Sequence, residues 1–230
     1  SLGGSDISVR VKLDPSEGSI DSAYVSRLWA GRRIATLIDR VRQDAPAHLP
    51  AEALAADPRF QPLVQEIVDL SIAYGILTEY TAFLATEGTS LQDVDRVVAE
   101  CTWNLKARAV DERSGAGAVA QGLNQAQRSV GKLNLQNRML DASMTVREYG
   151  AVQQVADRGF FRRGQTWVDG TLVQRGTLDP ATVVEYGSEA HRLLLDRLAG
   201  QNRQACLALR GDVLLEVDGA PVLVRQPASP

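Results

Sequence analysis

The sequence predicts an α+β protein, and three observations carry that expectation. Apolar residues recur at three- and four-residue steps over 24–41 and 63–74, strict alternation marks 7–13, and Asp218-Gly219 separates two aliphatic runs as a hairpin turn would. In chain order these predict strand, helix, helix, strand and a third helix within residues 1–115. A linker or surface arm over 116–148 and a small β-rich domain with one helix and a C-terminal β-hairpin over 149–230 complete the expectation.

In DISVRVKLDP, Ile7, Val9, Val11 and Leu13 alternate with Ser8, Arg10 and Lys12, the period of a half-buried strand that Pro15 ends. Asp21 is placed to cap a helix whose apolar stripe is Tyr24, Leu28, Gly31, Ala35 and Ile38, with Arg32, Arg33, Asp39 and Arg40 outside it. Trp29 reads as a core anchor of that helix. After a Pro/Ala-rich connection, Leu63, Ile67, Leu70 and Tyr74 form a second stripe, and Gly75 stands where a left-handed residue ends a helix. The β-branched and aromatic run ILTEYTAFLAT then predicts a strand.

Ser90 with Asp93 forms an approximate capping box ahead of a third helix, whose face is Leu91, Val94, Val98, Cys101 and Leu105. The Gly-, Gln- and Asn-rich stretch that follows lacks clear periodicity and reads as a linker. In the last third, GFFRRGQTWVDG pairs two runs around Arg163-Gly164. Ser188 caps a helix with Leu194 and Leu198 inward and Gly200 as terminator, and DVLLEVDGAPVLV forms the final hairpin.

A net charge of -3 argues against general polyanion binding, so nucleic acid is not an expected partner. No run approaches the ~20 apolar residues of a membrane span. The opening SLGGSD lacks an initiator methionine and reads as a tag remnant on a piece of a longer protein. Aromatic residues are only 5% of the chain, which leaves the core to aliphatic side chains.

Candidate chemistry is sparse. The histidines are His48 and His191 and the cysteines Cys101 and Cys206; their scatter along the chain argues against zinc, and His191 reads as an exposed helix residue. Asp93 and Asp95 read as a solvated helix face. Asp141, Ser143 and Thr145 imitate a metal-binding Asp-x-Ser-x-Ser loop, but the polar KLNLQNRM before them is not the buried strand such a loop needs. GAGAVAQG has neither the Lys-Ser/Thr nor the preceding strand of a phosphate loop. RLWAGRR and FFRRGQTW are explained by helix amphipathicity and hairpin patterning. No catalytic, cofactor-binding or metal-binding residue is assigned, and no cofactor is expected.

AYVSRLWAGRRIATLID followed by LVQEIVDLSIAYGILTEYTAFLATEG resembles the stretch after the von Willebrand A domain in inter-alpha-trypsin inhibitor heavy chains and their bacterial relatives. The residues that carry it are Arg27, Leu28, Trp29 and Ala30, then Glu66, Ile67, Leu70, Tyr74, Gly75, Thr78, Tyr80, Thr81 and Phe83; FFRRGQTWVDG, YGSEAHRLLL and DVLLEVDGAPVLV resemble the tail of bacterial members. The resemblance implies a non-enzymatic accessory module that packs against the VIT and A domains of its parent, and an extracytoplasmic setting. It transfers no catalytic or metal residue, and the Asp57-Pro58 bond does not occupy the position of the family's cleavage site. Two alternatives stay open: a hydrolase using Cys101 or Cys206 with His191, and an arginine-based anion-binding domain.

Overall fold

A computed structural model describes residues 20–86, 89–130 and 134–227. The strand expected over residues 6–13 lies outside the described residues. The α+β class stands, with helices and a mixed sheet in one structure.

Helix α1 spans Ile20–Asp44, so it already includes Asp21, the expected cap. Its buried side chains are Ala30, Ile34, Ala35, Leu37, Ile38 and Val41. Tyr24, Val25 and Trp29 project into solvent, and Trp29 is 53% exposed, which overturns its reading as a core anchor. The reason is register: the inward stripe begins at Ala30, and in the preceding turn Ser26, Arg27 and Leu28 are half-buried while Trp29 points outward. Short helix α2 (Ala51–Ala56) lies in the Pro/Ala connection, where Leu54 and Phe60 join Val41, Ala45 and Val110 in a small satellite core. Helix α3 (Gln61–Tyr74) is buried around most of its circumference and ends at Gly75 with φ 66°, as expected.

Residues 76–86 form no strand. Thr81 Oγ1 accepts from Thr78 N at 2.9 Å, and Thr78 Oγ1 accepts from Tyr80 N and Thr81 N at 3.2 Å each, before one 3₁₀ turn at Ala82–Ala85. The two hydroxyls satisfy the backbone locally, so β-branched residues here serve a turn and no ladder partner is required. Helix α4 (Val94–Asn104) is capped by Asp93, whose side chain accepts from Arg96 N, and continues as a π-helical segment over Leu105–Asp111.

The expected linker contains helix α5 (Gly115–Val130) and a hairpin of β1 (Met139–Leu140) and β2 (Val146–Arg147). Its inner face is Gly117, Ala120, Gln121 and Asn124, small or polar residues invisible to a search for apolar periodicity. Amide hydrogen bonds dock it: Asn124 Nδ2 donates to Leu140 O and Asn124 Oδ1 accepts from Leu140 N, both at 2.9 Å, while Gln121 Oε1 accepts from Tyr80 Oη at 3.1 Å.

The rear sheet is built from β3 (Val152–Val155), β4 (Arg158–Arg163), β5 (Thr166–Asp169), β6 (Thr182–Glu185), β7 (Asp212–Val217) and β8 (Ala220–Arg225), ordered β3-β4-β5-β7-β8-β6. The pairs β5–β7 and β6–β8 are parallel and the others antiparallel. Helix α6 (Gly170–Arg175) follows β5, and α7 (Glu189–Gly200) follows β6 with Ser188 as its cap. The chain leaves α7 through Gln201 and turns at Asn202 (φ 56°), beyond the glycine expected to end it. Both expected hairpins are present, the second turning at Asp218 (φ 48°) and Gly219 (φ 86°).

Alternation along the strands divides two cores. Phe161, Val168 and Leu214 share a core with buried residues of α1, α3 and α4, whereas Phe160, Trp167, Val213 and Leu215 share a second with α7 and the 3₁₀ turn at Gln204–Ala208. The first core therefore draws on both the front and the rear of the chain. Its tightest point is backbone against backbone: a Cβ on Gly159 would lie 2.1 Å from Gly75 N, and one on Gly170 would lie 2.2 Å from Ile72 O.

Gly159→Ala is expected to lower unfolding stability by about 3 kcal/mol or more, because backbone must move to admit the methyl. Gly200→Ala, where a Cβ meets nothing within 4 Å, should be neutral or gain at most about 1 kcal/mol. Urea unfolding of both variants checks the contrast; equal stabilities would contradict the packing described.

Candidate functional site

The sequence-selected groups are not brought into one reactive site. Cys101 is fully buried in the α4 face of the first core, and Cys206 in the second core beside Leu194 and Leu198. Burial pushes the Cys101 thiol far above its ordinary range and the Cys206 thiol up to about 12. His48 is exposed in the connection before α2. His191 is buried, against expectation, because its ring packs on Tyr186 with centroids 4.7 Å apart; its Nε2 has no partner.

Asp141, Ser143 and Thr145 do share one turn, between β1 and β2. There Asp141 Oδ1 accepts from Ser143 N and Thr145 N at 2.9 Å, and Oδ2 accepts from Arg147 Nε at 2.8 Å. Those donors, Thr145 N foremost, hold the carboxylate below its usual range and occupy its oxygens as the brace of a hairpin. Asp93 is engaged as the α4 cap. Among the described residues no group of three His, Cys, Asp or Glu side chains is placed to hold a metal ion.

A buried ionic cluster lies under the sheet. Arg158 bridges Asp169 and Glu216, donating to Glu216 Oε2 at 2.8 Å. Asp169 is fully buried and caps α6 through Thr171 N at 2.8 Å, and its other oxygen accepts from Glu216 N at 3.2 Å. Both carboxylates share Arg158, and each of their four oxygens accepts at least one hydrogen bond, the condition under which a buried ion network persists. Nearby, Arg203 grips Asp157 through both carboxylate oxygens, with Nε at 2.9 Å. Burial alone would raise Asp157 and Glu216; the hydrogen bonds and fields of Arg203 and Arg158 outweigh it and leave both below their ordinary values. The roles are structural.

A cavity lies between the first half of α1, the second half of α5 and the segment 134–139. It has a volume of about 230 Å³. Arg27, Leu28 and Gly31 supply one wall, Gln127 and Arg128 another, and Ile76, Met139, Asn137 and Gln154 the remainder. Arg128 is neutralised by Glu79, which accepts from both terminal nitrogens at 2.8 and 3.1 Å, a pair only 12% and 6% exposed. Arg27 differs: it has one long hydrogen bond, Nη1 to Gln154 O at 3.5 Å, and a buried Nε without a partner. Burial lowers its pKa, with the field of Asp157 opposing.

Reading the sequence missed this cavity. Arg27 stands about a hundred positions or more from its other polar lining residues, and the local signals were a glycine inside α1 and amide or cationic residues at Asn124, Gln127 and Arg128, spaced for one helix face. Comparison with protein-family models, with curated proteins and with solved structures found no match to this chain.

Stability carried by Asp157 and Glu216 should be present above their ordinary values of 3.8 and 4.5 and be lost as pH falls through their depressed folded values. Urea titrations from pH 7 to pH 3 should show that loss, and Arg158→Met should cost about 3–5 kcal/mol at pH 7 by stranding two carboxylates. Native Cys101 and Cys206 should resist an aromatic disulfide reagent at neutral pH and react only on unfolding. Rapid native labelling of either would reopen the hydrolase reading.

Proposed function

We propose that the chain is a non-enzymatic interaction module, the region after the von Willebrand A domain in a bacterial protein of the VIT and A-domain type. In this reading it braces the A domain and mediates protein contacts in an extracytoplasmic setting. The observation that supports it is an uncovered apolar surface on two neighbouring helices. On α1, Tyr24, Val25 and Trp29 are exposed; on α5, Val119, Leu123 and Val130 are exposed.

The α5 residues, with Ala116 and Ala126, follow spacings of three, four, three and four, the seam a helix offers to another element. Gln125 Nε2 donates to Ala35 O at 2.8 Å, and the cavity joins Arg27 and Gly31 to Gln127 and Arg128. The second half of α5 therefore lies beside the first half of α1. Tryptophan with aliphatic neighbours is the composition of an interface centre, where a few aromatic anchors supply most of the binding energy. Trp29 also belongs to the sequence pattern on which the family resemblance rests. The buried, raised thiols weigh against the hydrolase alternative.

The test is capture of the parent's A domain by this chain and by the Trp29→Ala, Leu123→Ser double variant. The variant should unfold within about 1 kcal/mol of the wild type, since both side chains are exposed, and should lose binding at least about tenfold. Undiminished capture, or no capture by the wild-type chain, would reject the reading.

A further inference from the structure

We propose that the cavity between α1, α5 and the 134–139 segment binds a small monocarboxylate, with its anionic head on Arg27 and its short apolar body against Leu28, Ile76 and Met139. This stands apart from the docking surface, which uses the outward faces of the same helices.

The first argument is electrostatic. A guanidinium has five N–H donors in a planar fork suited to a carboxylate, and leaving one half-buried with a single long hydrogen bond is unfavourable. Other charges around the cavity are matched: Arg128 by Glu79, Arg138 by Glu148 at 2.9 Å, and Asp157 by Arg203. Among the described residues around the cavity, Arg27 is the cation without a contacting carboxylate, and Asp157 reaches it through its field alone, so the positive charge facing the cavity is only partly offset. A monoanion balances it; a phosphate dianion would exceed it.

The second argument is steric. A glycine inside a helix costs about 1 kcal/mol relative to alanine. Gly31 lies in α1 on the cavity wall, and a Cβ there would meet nothing within 4 Å. Neither a close approach nor a left-handed backbone requires glycine at this position; what its missing side chain does is keep the space open. The volume sets the size class, since about 230 Å³ falls below the range of roughly 300–1,000 Å³ that drug-sized ligands and cofactors occupy. Amide groups of Asn137 and Gln154 line the polar end, and each is fixed by hydrogen bonds: Asn137 Nδ2 donates to Gly75 O at 2.9 Å, and Gln154 Nε2 to Asn134 O at 2.9 Å. The pocket is thus held in shape by the fold.

The experiment is titration of the full chain with 4-methylpentanoate, its neutral amide and inorganic phosphate, followed by amide chemical-shift changes and by the thermal midpoint. The acid should give saturable shifts at residues 27–31 and 134–139 and raise the midpoint, while the amide and phosphate should not. Arg27→Gln should weaken the acid about tenfold or more by removing the charge-assisted bonds. Gly31→Leu should fill the cavity and abolish binding while the protein stays folded. Two folded variants of opposite design prevent misfolding from imitating the result. Absence of saturable binding by the acid, equal binding of the amide, preferential binding of phosphate, or unchanged affinity in either variant would each overturn the proposal.

Discussion

The structure depends on one close approach, where the C-terminal turn of α3 meets the start of β4 and the start of α6 with no side chain between them. Gly75, Gly159 and Gly170 make it possible, and Gly75 also supplies the left-handed residue that ends the helix. Because the backbones touch, Ile72 lies on the sheet beside Phe161 and Val168 in one core. Asn137 ties the same corner from outside, accepting from Leu77 N and donating to Gly75 O at 2.9 Å each. Front helices and rear sheet therefore share a core whose halves cannot shift independently. The cavity borders this corner through Leu77 and Asn137, and its shape follows from the same contact.

What the residues disclosed in advance depended on how each element is held. Elements fixed by apolar burial or by turn chemistry were legible: α1 and α3, the Gly75 terminus, the Ser188 cap and the Asp218-Gly219 hairpin. Helix α5 was not, because its inner face makes amide hydrogen bonds where a periodicity search looks for leucine and valine. Residues 76–86 misled in the opposite sense, since Thr78 and Thr81 have strand-like side chains but use their hydroxyls to close a turn. Trp29 was assigned inward from the amphipathicity of its helix, although the stripe that decides orientation starts one residue later.

The candidate site was less legible than the fold. Individual histidines, thiols and carboxylates could be found in the sequence and set aside one by one, and several proved to be caps, turn braces or core atoms. The cavity has no such local mark. Arg27, Gln127, Asn137 and Gln154 come from four separate segments, and what distinguishes Arg27 is the lack of a carboxylate in contact, a property of three-dimensional surroundings. His191 shows the same limit in reverse: its position on an amphipathic helix reads as exposed, and the structure buries its ring in a tilted contact with Tyr186.

The strand order of the rear sheet bears on how the chain reaches its native state. β8, late in the chain, lies between β7 and β6, and among the described residues β6 pairs with no other strand. During synthesis β6 and the helix after it precede by some forty residues the β8 segment that joins them to β7, so Val184 and Leu194 gain the rest of their core only when it emerges. The second core is thereby assembled as a closing event, and a ribosome-bound nascent chain lacking those residues would present a loose ββ edge for chaperones to shield.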